Sequence, residues 1–115
     1  MNTRRIQIFE AKDVEAQGFQ ALTLLSRDTF YKLKKPDYKP AFETVIALCA
    51  GLDLDIVIAN ELLGKAGYAF DGGEKHTAYM TVITQFAGQS ILVRNEFLKN
   101  LNIPGLKPLG EKDAE

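Results

Sequence analysis

Residues able to do covalent or metal chemistry are scarce in this chain: one histidine, His76, and one cysteine, Cys49, among 115 residues. A structural zinc site takes about four Cys or His ligands, and a hydrolytic triad takes a histidine between a carboxylate and a nucleophile, so neither can be assembled. His76 follows Glu74 and Lys75 and reads as a solvated polar residue at a helix start. Cys49 falls on the apolar stripe of Phe42, Val45, Ile46 and Leu52, which predicts a buried, inert thiol, and a lone cysteine makes no intrachain disulfide. Gly72 and Gly73 lack the G-x-x-x-x-G-K-[ST] spacing of a phosphate-cradling loop and read as a linker, while Asp53 and Asp55 read as caps around a turn. The expectation is a protein that is not an enzyme and holds no metal or cofactor.

What remains is charge. The formal net charge of −1 argues against a protein that coats nucleic acid indiscriminately, but the charges are unevenly placed. Residues 26–40 carry five Lys or Arg against two Asp or Glu, whereas residues 41–70 carry one against four. The basic stretch has helical spacing. Ser26 is a good N-cap, with Thr29 where a capping partner sits, and Phe30 and Leu33 fall three apart on one inward face. Arg27, Asp28, Tyr31, Lys32 and Lys35 are left pointing outward. Pro36 pushes Lys35 away from helical geometry, so the helix ends by Lys34 or Lys35. The next helix starts near Ala41, just after Pro40, with Glu43 complementing the dipole of its first turn.

These residues carry a resemblance. The run from Ser26 through Thr29, Phe30, Tyr31, Lys32 and Leu33, then Lys39, Pro40, Glu43, Thr44, Ala47 and Leu48, resembles the phage-repressor-like (Cro and XRE-type) helix-turn-helix family. The likeness continues through GLDLD and ANELLGKAGY and spans residues 26–68. It implies an all-α, lambda-repressor-like helix-turn-helix domain and a sequence-specific, DNA-binding transcriptional regulator with residues 26–35 as recognition helix. It further implies base contacts by Arg27, Asp28 and Lys32, phosphate contacts by Thr29, Lys35, Tyr38 and Lys39, and a homodimer on double-stranded DNA. The chain departs from the family pattern at three positions. Leu24 stands at the turn glycine, Ala16 at the glutamine that opens the preceding helix, and Pro36 at the glycine that ends the recognition helix. The family's first helix has little chain left to occupy. A second function therefore stays open, a helix-turn-helix-derived module that binds an unidentified protein partner and no DNA.

The elements that must position the basic helix are read from the same spacing. At 46% hydrophobic residues, the chain reads as a single domain with one core. In RRIQIF, Arg5 and Gln7 alternate with Ile6 and Ile8, so residues 1–10 read as an arm or short strand. A helix begins near Ala11, is interrupted at Gly18 and resumes with Phe19, Leu22 and Leu25 on one face, within a core unit of residues 11–70. Gly51 loosens the end of the next helix, Asp55 caps the one after it, and Gly67 stops that helix. Residues 74–102 add two amphipathic helices. Tyr79, Val82, Ile83 and Phe86 line the first, which stops near Gly88, and Ser90 caps the second, in which a buried Asn95 ties two helices together. The tail of residues 103–115, with Pro104 and Pro108, continues no helix and ends in disorder. Five or six helices are expected. No apolar run approaches the roughly 20 residues of a membrane span, and no leader opens the chain, so a cytoplasmic, non-membrane protein is expected.

Overall fold

Helical spacing extends even to the segment read as an arm or strand. The computed structural model describes residues 3–110 and places seven helices and no strand among them. They are α1 (Thr3–Ala11), α2 (Ala16–Thr23), α3 (Arg27–Leu33), α4 (Phe42–Gly51), α5 (Ile56–Lys65), α6 (Glu74–Thr84) and α7 (Ile91–Asn100).

Residues 3–10 are corrected from arm or strand to helix, and residues 1 and 2 lie outside the described residues. The short alternation of RRIQIF fits a strand, but Arg5, Ile8 and Phe9 stand at i, i+3 and i+4 and are all buried, which is one face of a helix. The break expected at Gly18 comes earlier. Asp13 takes a left-handed conformation (φ 55°), and α2 then runs unbroken through Gly18. Its buried face is Ala16, Phe19 and Thr23, with Leu22 exposed, so the expected stripe of Phe19, Leu22 and Leu25 is shifted by one residue at its centre. Thr23 is a satisfied buried polar group. Its hydroxyl donates to the Phe19 carbonyl (2.8 Å) and accepts from the Leu25 amide (3.1 Å).

Helix α4 is the axle of the molecule. It begins after Ala41 with Glu43 in its first turn, as expected, and buries Phe42 and every residue from Val45 to Ala50. It packs against α2, α5, α6 and α7. Gly51, the last residue of α4, lies close against α2. A Cβ there would stand 2.6 Å from the Leu22 carbonyl oxygen and 2.8 Å from Thr23 Cα, so the glycine at the end of α4, where the sequence placed it, also seats one helix on another.

Cys49 is wholly buried on α4, and burial pushes its thiol up to about 12. The folded chain therefore keeps its proton above the pKa of the unfolded thiol. The stability this contributes is full below that value and is lost as pH rises toward about 12. At pH 8, iodoacetamide should label native Cys49 at least about 1,000-fold more slowly than the urea-unfolded chain, because only globally opened molecules expose it. Native and unfolded labelling rates within tenfold of each other would overturn this.

The remaining helices start where their caps are expected. Asp55 accepts from the Ile58 amide (3.0 Å), and Ser90 accepts from the Val93 amide (3.3 Å). Helix α6 stops at Thr84, short of the expected Gly88. Asn95 is buried and fully paired, but its partner is the tail and not a second helix. Its Nδ2 donates to the Leu109 carbonyl (3.0 Å) and its Oδ1 accepts from the Leu109 amide (2.6 Å). The tail is non-helical as expected, yet residues 103–110 fold back over the domain. The Tyr79 hydroxyl donates to the Lys107 carbonyl (3.0 Å), Leu109 is buried, and Gly110 (φ 77°) lies so close to the Thr23 carbonyl and Leu24 that no side chain fits. The expected disordered end, residues 111–115, lies outside the described residues. Among the described residues no helix is long and apolar enough to cross a membrane.

Candidate nucleic-acid interface

Helix α3 is short and is held at both ends. Ser26, extended at φ −70° and ψ 161°, accepts from the Thr29 amide (3.1 Å) and donates its hydroxyl to Thr29 Oγ1 (3.0 Å), which satisfies part of the first turn. Phe30 and Leu33 are buried as expected. The Phe30 ring stands 5.0 Å from both Phe9 and Phe19, so α1, α2 and α3 meet in one aromatic cluster. Between α2 and α3, Leu24 takes the left-handed conformation (φ 62°) and its amide donates to the Gln20 carbonyl. A left-handed non-glycine residue costs roughly 1–2 kcal/mol. The tight reversal is kept even without glycine because the neighbouring Thr23 and Leu25 are pinned in the core.

The other end of α3 is rebuilt around Pro36. The Lys34 and Lys35 amides donate to the Tyr31 (3.2 Å) and Lys32 (3.0 Å) carbonyls, a tightening of the last turn. Arg5 then reaches from α1, its Nη2 donating to the carbonyls of Lys35 (3.2 Å) and Tyr38 (3.0 Å). Burial is the main influence on this guanidinium and lowers its pKa, with Tyr38 opposing the change. Arg5 escaped the sequence reading because alternation placed it on a solvent-facing arm, and only its i+3 and i+4 neighbours hinted otherwise.

The sites named from sequence divide into two groups. Arg27, Asp28, Lys32 and Lys35 are exposed, together with Tyr31 and with Lys34, which the sequence reading passed over. Asp28 and Lys32 are i,i+4 partners at 3.1 Å, and Lys34 lies over the Phe30 ring, 5.1 Å from its centroid. Thr29, Tyr38 and Lys39 are placed differently. Thr29 is buried with its hydroxyl engaged by Ser26, which makes it a capping residue and removes it from the outer surface. Tyr38 is half-buried and its carbonyl is held by Arg5. Lys39 is exposed, but its ammonium lies 5.4 Å from the centre of the Tyr68 ring, turned toward the end of α5.

His76 is corrected from a solvated residue to a packed one. Its ring stacks on Phe42 (4.1 Å, 5° between planes), and its Nδ1 accepts from the Asp71 amide (3.0 Å). Among the described residues no group of His, Cys, Asp or Glu is arranged to hold a metal ion. The surface of α3 and the residues just after it offers a planar guanidinium, ammonium groups and one carboxylate to a ligand. Comparison of the chain with protein-family models, with curated proteins and with solved structures finds no match.

Proposed function

We propose that the chain is a sequence-specific DNA-binding regulator of the lambda-repressor-like helix-turn-helix kind, with α3 as its recognition helix. The observation that carries this reading is the outer face of α3. Arg27, Tyr31, Lys32, Lys34 and Lys35 are exposed there beside a single carboxylate, Asp28, while Phe30 and Leu33 anchor the opposite face. The tight turn through Leu24 supports it by setting α2 against α3, and α1 supplies the packing that the sequence had left unassigned. In this reading Arg27 pairs with guanine O6 and N7, Lys32 reaches a second base edge, Asp28 accepts from cytosine N4, and Lys35 holds a phosphate. The Asp28–Lys32 ion pair is no obstacle. An exposed i,i+4 pair is worth about 0.3–0.5 kcal/mol, against about 1–3 kcal/mol for a good base contact. A two-fold pair of chains would double the footprint and place half-sites about 34 Å apart, one helical turn of DNA.

Selection from a random duplex pool tests the reading. It should enrich one motif, with repeats about one helical turn apart. Arg27→Ala or Lys32→Ala should then cost about 1–3 kcal/mol on that site and relax preference at one position. Lys35→Ala should weaken all duplexes alike and lower the salt slope by about one, through counterion release. A second reading is favoured by Leu22 and Tyr31, exposed by 44% and 52% on α2 and α3, which would suit a protein partner. An unenriched pool and affinity indifferent to all three substitutions would select it.

A further inference from the structure

A cavity of about 340 Å³ opens between the loop after α3 and the C-terminal end of α5, a volume in the range of small-molecule sites. Its floor is apolar, formed by Val45, Leu48 and Leu62, and its charged lining consists of Arg5, Lys39, Lys65 and Asp37. Arg5 is 4% exposed. Two of its hydrogen bonds go to uncharged carbonyls, its buried Nε has no acceptor, and no carboxylate of the described residues stands within ion-pair distance. A guanidinium taken out of water in this way calls for a counter-ion. The end of α5 brings a partial negative charge of about one half to the same wall, less than the net excess of cations over Asp37. The Lys39 ammonium already leans over this wall, where a Cβ on Gly67 would lie 3.5 Å from it.

We infer that this cavity binds a small organic anion, one phosphate or carboxylate head on an apolar body, with the head between Lys39 and Lys65, Arg5 behind it and the body on Leu48 and Leu62. The site does not depend on DNA being the target of α3. The head group has two sources, a small molecule or a phosphate of a duplex, and the geometry favours the small molecule because the apolar floor has nothing to offer a DNA backbone.

Phenyl phosphate is the probe, titrated at constant ionic strength into the full chain while amide shifts are followed by NMR. Saturable shifts should centre on residues 37–40 and 65–67, with phenol inert and inorganic phosphate weaker. Lys65→Gln and Lys39→Gln, both at exposed residues and so compatible with folding, should each weaken binding roughly fivefold or more. Duplex affinity measured in parallel should be unchanged by Lys65→Gln. Shifts centred instead on residues 32–35, or binding indifferent to both substitutions, would overturn the site. A duplex weakened by Lys65→Gln as much as phenyl phosphate would assign the cavity to a DNA phosphate and overturn the small-molecule occupant.

Discussion

Replacing Arg94 by methionine should remove about 2–4 kcal/mol of stability through its lost hydrogen bonds, read as a drop in the urea midpoint of the helical circular dichroism signal. Typical domains have only about 5–15 kcal/mol in all, so the variant should lie near the edge of folding. Arg94 is fully buried, yet it closes the far side of the molecule. Its Nη2 reaches Asp53 (2.8 Å) and the Phe86 carbonyl (2.8 Å), and its Nε reaches the Gln89 carbonyl (3.1 Å). Methionine fills much of the space but leaves these acceptors unpaired. Asp53→Asn should also cost stability, because it takes the carboxylate from a guanidinium that is fully buried, although the Asn oxygen can still accept from Nη2. The acid limb supplies a second check. The Gly88 amide, and after it Arg94 and Lys12, hold the Asp53 carboxyl below the ordinary carboxylate range, against partial burial. A depressed pKa contributes stability that is present above the unfolded value and lost as pH falls through the folded one. Part of the acid sensitivity of the parent should therefore be missing in Arg94→Met. A midpoint unchanged by the substitution would sink the account of Arg94 as the latch between the α4–α5 turn and α7.

The second large effect is expected from a single added methyl group. Gly51→Ala should destabilise the domain by about 2–3 kcal/mol, since the new Cβ meets the Leu22 carbonyl and Thr23 Cα and Cγ2 at 2.6–2.8 Å and two of those atoms are backbone. At the last residue of a helix alanine gains at most the interior preference of about 1 kcal/mol over glycine, so the sign of the measurement alone separates the two influences. Thr23→Ser in the Gly51→Ala background should restore only part of the loss, because it withdraws Cγ2 and leaves the backbone clash in place. The same variant should disturb the α3 surface without touching it. Displacing α2 moves Thr23, whose hydroxyl holds the Leu25 amide at the start of the turn into α3. Equal or greater stability in Gly51→Ala would show that α2 does not bear on α4 as described.

Much of what depends on neighbours in the chain was legible in the sequence. The Ser26, Asp55 and Ser90 caps, the buried faces of α4 and α6, and the start of α4 after Pro40 all follow from interactions within four residues, where spacing is the geometry. The outward set of Arg27, Asp28, Lys32 and Lys35 was legible for the same reason, once Phe30 and Leu33 were recognised as the inward face. Only the tertiary structure decided where buried polar residues find their partners. Arg5 bonds carbonyls 30 and 33 positions away, Arg94 reaches a carboxylate 41 positions away, and Asn95 clasps the tail 14 positions on. No local period announces such partners, because a charge or an amide is buried wherever distant backbone happens to present an unpaired group, and that depends on how helices cross. The four-residue alternation of Ile6 and Ile8 with Arg5 and Gln7 fits a strand as well as a helix. The aromatic pocket that receives Phe9, built by Phe19 and Phe30 from two other helices, made it a helix and gave α3 the support its own seven residues could not provide.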